Sequence, residues 1–302
     1  MWFWLSLLAL LCWSGSDLFS KIGCRDAKDP LSHLKMVIAV GVVMGLHAAY
    51  EIFINGTEIS GSILLTYLPV SLLYISSMTI GYIGLRYIEL SISSPICNSS
   101  GALVAVLALA TGGLGELVPA QLMATALVCV GVIGLGIVEA REDDDLRAAR
   151  QQASNHRYAK SALALVLPII YCLLDALGTF ADSRVLETLD EDSANCAYEL
   201  TFLLAAIVCF VYVVLIKKSR LVPKREGPKY AGALCETAGQ FAYIYALADT
   251  EHVALAAPII SAYCVASVLW SRLFLKEKLS WKHYAMILLV VAGIVILGLY
   301  DA

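Results

Sequence analysis

Apolar blocks of about 20 residues, the length that a helix needs to cross a bilayer, recur along the whole chain. Apolar residues make up 60% of the 302 residues and charged residues only 15%, which lies outside the usual range of soluble domains. Because open backbone is not tolerated in lipid, this pattern predicts an all-α integral membrane protein that crosses the membrane several times.

Ten blocks qualify as membrane-spanning helices, and the connections between them are short with one exception. The exception is a strongly charged stretch between the fifth and sixth blocks. We therefore predict a first five-helix repeat over residues 1–140, a charged linker over 141–157 and a second five-helix repeat over 158–302. The predicted spans cover residues 2–21, 35–54, 63–84, 93–112, 119–138, 159–180, 196–216, 229–248, 253–274 and 282–300.

The two halves share residues at a spacing of 163 positions, or 162 in the last of these pairs: Gly15 with Gly178, Lys21 with Arg184, Pro95 with Pro258, and Gly131 with Gly293. Since five is an odd number of spans, a duplicated half must be inverted in the membrane relative to the first. Loop charge agrees with this inference. All Lys and Arg residues except Arg184 fall after odd-numbered spans, so these loops are predicted to be cytoplasmic and both termini outside.

The fourth span contains S-S-P-I-C-N-S-S-G and the ninth A-A-P-I-I-S-A-Y-C, each followed by a long apolar run and then an acid. Together with W-S-G at residues 13–15, these segments resemble the EamA family of the drug/metabolite transporter superfamily over nearly the whole chain. Pro95 and Pro258 match the mid-repeat proline of the family, and Glu116 and Glu277 match its acid after the fourth and ninth helices.

The resemblance implies a secondary transporter that moves a small polar metabolite by alternating access, through a central cavity lined by spans 1, 3, 4, 6, 8 and 9. Acidic outer loops favour a cationic or zwitterionic amine or amino acid as substrate. Two alternatives remain open: a flippase-like translocator of an amphipathic lipid-linked molecule, and a non-transporting membrane receptor or assembly subunit.

Three acids lie inside apolar spans, where a charge costs at least a few kcal/mol and normally faces water, protein or a partner. Asp17 follows Trp13 by four residues and Asp175 follows Tyr171 by four, so each pair shares a helix face. A ring beside a carboxylate suits an ammonium group. Asp17 could instead pair with Lys21 on its own helix, and Asp175 could bond to a neighbouring helix.

The third acid, Glu236, forms a polar stripe with Gln240 and Tyr243 on the eighth span. The stripe fits either a cavity wall or hydrogen bonding between helices. Because desolvation disfavours a charged carboxylate, Asp175 and Glu236 are also candidates for proton coupling. Weaker candidates for cavity lining, which could equally be packed core, are Tyr74, Asn98 and Tyr263.

Several classes of function lack their sequence signals. There is no Walker-type phosphate loop, no H-E-x-x-H and no G-x-S-x-G, so we do not expect an enzyme. The nine cysteines are scattered and the five histidines dispersed, so no metal and no cofactor is expected. His47 and Glu51 are interpreted as an interface pair.

The expected partners are a small-molecule substrate and the lipid bilayer, with a homodimer left open and no nucleic acid. The chain is expected in a bacterial cytoplasmic (inner) membrane. Asp182 and the acids that follow the sixth span are expected to form a solvated outer rim.

Overall fold

A computed structural model describes residues 1–25, 29–87, 90–110, 118–140, 162–275 and 279–301. Within these ranges every regular element is a helix and no strand occurs, as the apolar pattern predicts. The charged linker over 141–157, together with Glu116 and Glu277, lies outside the described residues.

Twelve α-helices are described. In the first half these are α1 (Trp2–Cys24), α2 (Ser32–Tyr50), α3 (Gly61–Tyr87), α4 (Leu90–Cys97), α5 (Ser100–Ala110) and α6 (Pro119–Ala140). In the second half they are α7 (Ala162–Val185), α8 (Glu191–Phe210), α9 (Pro223–Leu247), α10 (Val253–Ser261), α11 (Tyr263–Trp270) and α12 (Trp281–Asp301). Short π-helical segments extend α2, α8 and α11, at Glu51–Asn55, Val211–Ile216 and Ser271–Leu275.

Each predicted span coincides with one of these helices or with a pair of them. Seven described helical stretches are long and apolar enough to cross a membrane, namely Trp2–Cys24, Ser32–Asn55, Gly61–Arg86, Pro119–Val138, Val166–Val185, Glu191–Ile216 and Thr250–Leu275. The apolar part of α12, Trp281–Leu297, is shorter. The α4–α5 pair is divided into two short pieces, and α9 carries charged and polar side chains along its length.

The fourth and ninth predicted spans are each broken shortly after their proline. Pro95 lies in α4, which ends at Cys97, and Pro258 lies in α10, which ends at Ser261. The two breaks meet: a β-carbon built on Gly101 would lie 2.3 Å from Ser261 Oγ. Only a glycine permits so close an approach, so the two broken helices cross at their breaks.

The main helix contacts join one half of the chain to the other. α1 packs on α9 and α3 packs on α7, while α2 packs on α8 and α6 on α12. The broken helices cross in the same reciprocal way, α5 against α10 and α4 against α11. Each contact that a first-half helix makes with the second half therefore has a counterpart made by the equivalent second-half helix with the first half. The halves interlock instead of forming two separate bundles.

Small residues allow the α6–α12 contact to be close. A β-carbon built on Gly131 would lie 2.9 Å from the carbonyl oxygen of Met286, and one built on Gly293 would lie 2.6 Å from that of Ala124. The two glycines that the repeat comparison pairs thus face each other's helix. Such small-residue contacts are typical of membrane helices, where lipid offers no hydrophobic drive for helix association.

Apolar side chains cover the outside of the bundle. Trp4, Leu8 and Leu11 form an exposed stripe on α1, and Leu173 and Leu177 form another on α7. Exposed apolar surface of this extent suits contact with lipid chains and would be costly in water.

Candidate functional site

A group of buried polar side chains surrounds a narrow cavity between the two halves. Its volume is about 70 Å³, which is room for a few water molecules. The ten residues predicted to line a cavity all lie on its wall: Trp13, Asp17, Tyr74, Asn98, Tyr171, Asp175, Glu236, Gln240, Tyr243 and Tyr263. The wall is built from α1, α3, α4, α5, α7, α9, α10 and α11, with one side chain, Tyr198, from α8.

Serines from other helices hold the Asp17 carboxylate. Its Oδ2 atom accepts a hydrogen bond of 2.5 Å from Ser94 Oγ of α4 and one of 2.7 Å from Ser267 Oγ of α11. The nearby Lys21 Nζ donates a 2.8 Å hydrogen bond to the carbonyl oxygen of Leu85. Asp17 thus ties α1 to both broken helices, one from each half.

The other two acids follow the same arrangement. Asp175 Oδ2 accepts a 2.7 Å hydrogen bond from Ser100 Oγ of α5, and Glu236 Oε2 accepts a 2.7 Å hydrogen bond from Ser16 Oγ of α1. Both bonds cross between the halves. The Asp175 carboxylate lines the cavity and also bonds to a neighbouring helix, so the two arrangements considered for it occur together.

Each of the three carboxylates is bonded through one oxygen. Within the described part of the chain, no hydrogen bond involves Asp17 Oδ1, Asp175 Oδ1 or Glu236 Oε1. The described residues of the cavity wall include no Lys, Arg or His. The wall therefore presents acceptor oxygens and negative charge without a fixed cation of its own.

Aromatic rings complete the wall beside these acids. The Trp13 indole lies between Tyr243 and Tyr263, with ring centroids 5.0 and 5.8 Å away. It packs directly on Gly239 of α9, where a β-carbon would come within 2.3 Å of the indole ring. Tyr171 packs in the same way on Gly81 of α3, at 2.9 Å. The two ring–carboxylate pairs thus occupy reciprocal places in the two halves.

The C-terminal end of α7 carries a buried acid that the sequence analysis had assigned to a solvated rim. Asp182 was expected on a solvated rim, but its side chain is 0% exposed. Its Oδ1 accepts a 2.8 Å hydrogen bond from the Tyr67 hydroxyl, and its Oδ2 a 3.4 Å one from the Tyr74 hydroxyl. Tyr74 also bonds to the Tyr243 hydroxyl. Three tyrosines on α3 and α9 can supply hydrogen bonds to this carboxylate, and these hydroxyls take the place of the water that a solvated rim would provide.

At the opposite end, four charged side chains are buried between α2, α9 and the segment that precedes α2. Lys35 Nζ lies 2.8 Å from Asp29 Oδ2 and 3.8 Å from Glu226 Oε1, and Lys229 Nζ lies 2.8 Å from Glu226 Oε2. These ion pairs join the first half to the second below the cavity.

His47 contacts the second half of the chain, as its reading as an interface residue expects. Its Nδ1 lies 2.9 Å from the carboxylate oxygens of Glu199 on α8, and its Nε2 lies 3.6 Å from Glu51 Oε1. None of these three residues lines the cavity.

Sequence reasoning did not select the serines that hold the carboxylates, Ser16, Ser94, Ser100 and Ser267. Two of them, Ser94 and Ser100, lie in the S-S-P-I-C-N-S-S-G segment, where several hydroxyl groups close to a proline could have indicated a hydrogen-bonding role. Serine is common in membrane helices as a local hydrogen-bond donor to its own backbone, so the residue type alone does not identify such a role.

Residues 162–299 match the sequence profile described as the EamA-like transporter family. This match includes the Pro258 segment, and it confirms the resemblance to the EamA family over the second half of the chain. Members of the EamA family are membrane transporters and not enzymes, and the apolar helices agree with an integral, multi-pass membrane protein.

A solved structure described only as "Crystal structure of protein" is similar to this chain over almost its full length. The similarity covers 98% of this chain and 96% of the other, with a TM-score of 0.64 and 13% sequence identity. At that identity the comparison shows a shared fold alone. Among curated proteins, no sequence matches the chain.

Proposed function

We propose that this EamA-family chain is a secondary transporter that moves a small organic cation, such as an amine or a zwitterion with an ammonium group. The observation that carries the proposal is the charge of the cavity wall. Asp17, Asp175 and Glu236 face one narrow space, and no basic side chain stands among the described wall residues. A solute with positive charge would be stabilised there by charge and by the adjacent rings.

Transport in this proposal proceeds by alternating access of two inverted five-helix repeats. The reciprocal packing of α1 on α9 and of α3 on α7 supports a two-fold relation between the halves. Polar contacts lie at both ends of the cavity, those of the tyrosines with Asp182 at one and the hydrogen bond from Lys21 to Leu85 at the other. If the contacts at one end separate while those at the other end stay closed, the cavity opens to one side of the membrane at a time.

Proton coupling follows from what happens when the cation leaves. An uncompensated carboxylate in a dry interior costs several kcal/mol, so a departing cation would be replaced by a proton. Asp175 and Glu236 are the proposed exchange sites, because each is held by a single serine and keeps one oxygen free of protein hydrogen bonds.

Thermal-shift screening of the purified protein would test the substrate class. We expect amines to raise the melting temperature, while sugars and dicarboxylates should have no effect. Uptake of the best compound into proteoliposomes should then fall at least about tenfold in Asp175→Asn and in Glu236→Gln, since each removes a charge from the site. Glu187→Gln changes an exposed acid that is paired with Arg184, and it should leave uptake intact.

Two results would contradict the proposal. One is stabilisation by anions in preference to amines. The other is uptake, with its pH dependence, that is unchanged in both cavity variants.

The orientation in the membrane is a separate proposal that rests on loop charge. With odd-numbered loops in the cytoplasm, both termini lie outside. A C-terminal reporter that is active only in the cytoplasm should stay silent in a bacterial host, and activity would reverse the assignment.

A further inference from the structure

Hydrogen-bond donors without partners lie on the same wall as the carboxylates. Gln240 is 3% exposed, and its Nε2 atom has no hydrogen-bond partner within the described residues. The same holds for Trp13 Nε1. Both residues line the cavity. A buried donor that is left unpaired is costly, so two of them in residues of one cavity wall point to an absent acceptor.

The two donors belong to one place on the wall. The Trp13 indole packs on Gly239, where a β-carbon would lie 2.6 Å from the indole Nε1. Gln240 is the next residue of α9, and Glu236 precedes it by one turn. The unpaired donors and a carboxylate with a free oxygen therefore all lie along the α1–α9 contact.

From this geometry we infer that the substrate has two recognition groups: an ammonium group, bound by the carboxylates, and an uncharged hydrogen-bond acceptor, bound by Trp13 Nε1 and Gln240 Nε2. The class is that of amino alcohols and amino amides. The inference rests on the proposed transport of an organic cation and names its substrate class.

An uncharged acceptor fits this wall better than a carboxylate. The described wall supplies three acids and no basic side chain to balance an added carboxylate. Repulsion from any of these acids that is ionised would, in a poorly solvated space, outweigh two neutral hydrogen bonds. A hydroxyl or an amide carbonyl can accept from both donors without that penalty.

Matched ligands separate the contributions. Ethanolamine, propylamine and glycine carry a hydroxymethyl group, an ethyl group or a carboxylate on the same aminomethyl carbon. Leucinol, 1,3-dimethylbutylamine and leucine carry a hydroxymethyl group, a methyl group or a carboxylate on an amino-bearing carbon with a larger, isobutyl substituent. Binding to the purified full chain would be measured by calorimetry at pH 7, where all six amino groups are protonated.

We expect each amino alcohol to bind about tenfold more tightly than its methyl counterpart, since two additional neutral hydrogen bonds are formed. Gln240→Leu keeps the side-chain volume but removes the donor. It should reduce the preference to a few-fold or less, because the amino alcohol loses a hydrogen bond that propylamine never forms. Trp13→Phe keeps an aromatic ring, and it provides a second test of the preference if Gln240→Leu does not fold.

Gln121→Leu is the matched control, because Gln121 lies on α6 away from the cavity and should not affect the preference. Equal affinity for alcohol and methyl compounds, or a preference that survives both variants, would overturn the inference and leave cation transport standing. Tightest binding of glycine or leucine would overturn the requirement for an uncharged acceptor. If no ammonium compound of either series binds, the proposed function fails together with the inference.

Discussion

Hydrogen bonds centred on the Asp182 carboxylate connect several helices. It is fully buried on α7 and accepts hydrogen bonds from Tyr67 and Tyr74, both on α3. Through Tyr74 it is linked to Tyr243 of α9. An acid that is removed from water depends on such donors, because its desolvation is offset by hydrogen bonds alone when no cation is near. The tyrosines therefore matter to stability as well as to the shape of the cavity.

Tyr67→Phe should destabilise the protein by about 1–3 kcal/mol, since it removes a 2.8 Å hydrogen bond to a buried carboxylate. The measurement is the thermal midpoint of the detergent-solubilised chain. Tyr50→Phe is the control, because the Tyr50 side chain is 52% exposed and should tolerate the loss of its hydroxyl. Equal midpoints for Tyr67→Phe and wild type would mean that the Asp182 cluster does not stabilise the fold.

The Asp29–Lys35 ion pair makes a pH-dependent contribution at the other end of the molecule. Desolvation opposes ionisation of Asp29, but the hydrogen bond and charge of Lys35 prevail and lower the pKa of Asp29 below its ordinary value of 3.8. A carboxyl whose pKa is lower in the folded state stabilises the fold above its unfolded pKa. That contribution is lost as the pH falls through the folded pKa.

Asp29→Asn should accordingly lower the thermal midpoint at pH 7, and the difference from wild type should shrink as the pH is brought below about 4. Differential scanning fluorimetry across this range would follow both proteins. A difference that stays constant down to pH 3 would show that the Asp29 charge contributes nothing.

At the scale of the elements, helix pairs depend on glycines whose missing β-carbon allows backbone contact. The α6–α12 pair is the clearest case, with Gly131 and Gly293 each within 3 Å of a carbonyl oxygen if a β-carbon were added. A carbonyl of a regular helix cannot move aside as a flexible side chain can. A side chain at either glycine therefore has to push the two helices apart.

Gly293→Ala should destabilise the chain by about 1–3 kcal/mol, the usual cost of an overpacked contact. Gly227→Ala, on α9, is the matched control: no atom lies within 4 Å of the added methyl group, and alanine is the better helix former. Thermal midpoints of the two variants should move in opposite directions or differ clearly. A Gly293→Ala variant as stable as Gly227→Ala would contradict the close α6–α12 contact.

At the scale of the whole molecule, the halves are held together by contacts that neither half makes alone. Gly15 of α1 faces Cys235 of α9, and a β-carbon on Gly15 would lie 3.7 Å from that of Cys235. This separation is the one usual in disulfides. Gly15→Cys should therefore form a disulfide with the native cysteine on mild oxidation.

A protease site inserted within residues 141–157 would reveal the cross-link, because cleaved halves should migrate as one species on a non-reducing gel and as two after reduction. Cys235→Ser in the Gly15→Cys background should restore two species under both conditions. Separate halves in the oxidised Gly15→Cys protein would rule out the α1–α9 contact. If the halves rock during transport, the cross-linked protein should also lose uptake, and reduction should restore it.

Much of this architecture is readable from the sequence because lipid leaves few choices. Apolar blocks fix the positions of the helices, and buried acids stand out against them, so Asp17, Asp175 and Glu236 could be selected without coordinates. Asp182 could not be identified as buried in this way, because it lies just beyond the end of an apolar block, where a side chain is expected to face water. Only the tertiary fold brings Tyr67 to it. The partners of the serines were hidden for the same reason.

The interlocking of the halves has a consequence for how the protein is made. α1, α2, α3 and α6 each have their main partner in the second half. A ribosome that adds about 5–20 residues per second needs on the order of ten seconds or more to complete that half. During this interval the first half has polar side chains such as Asp17 without the serine of α11 that they require. Its biogenesis therefore includes a waiting period in the bilayer, during which those groups lack their native partners.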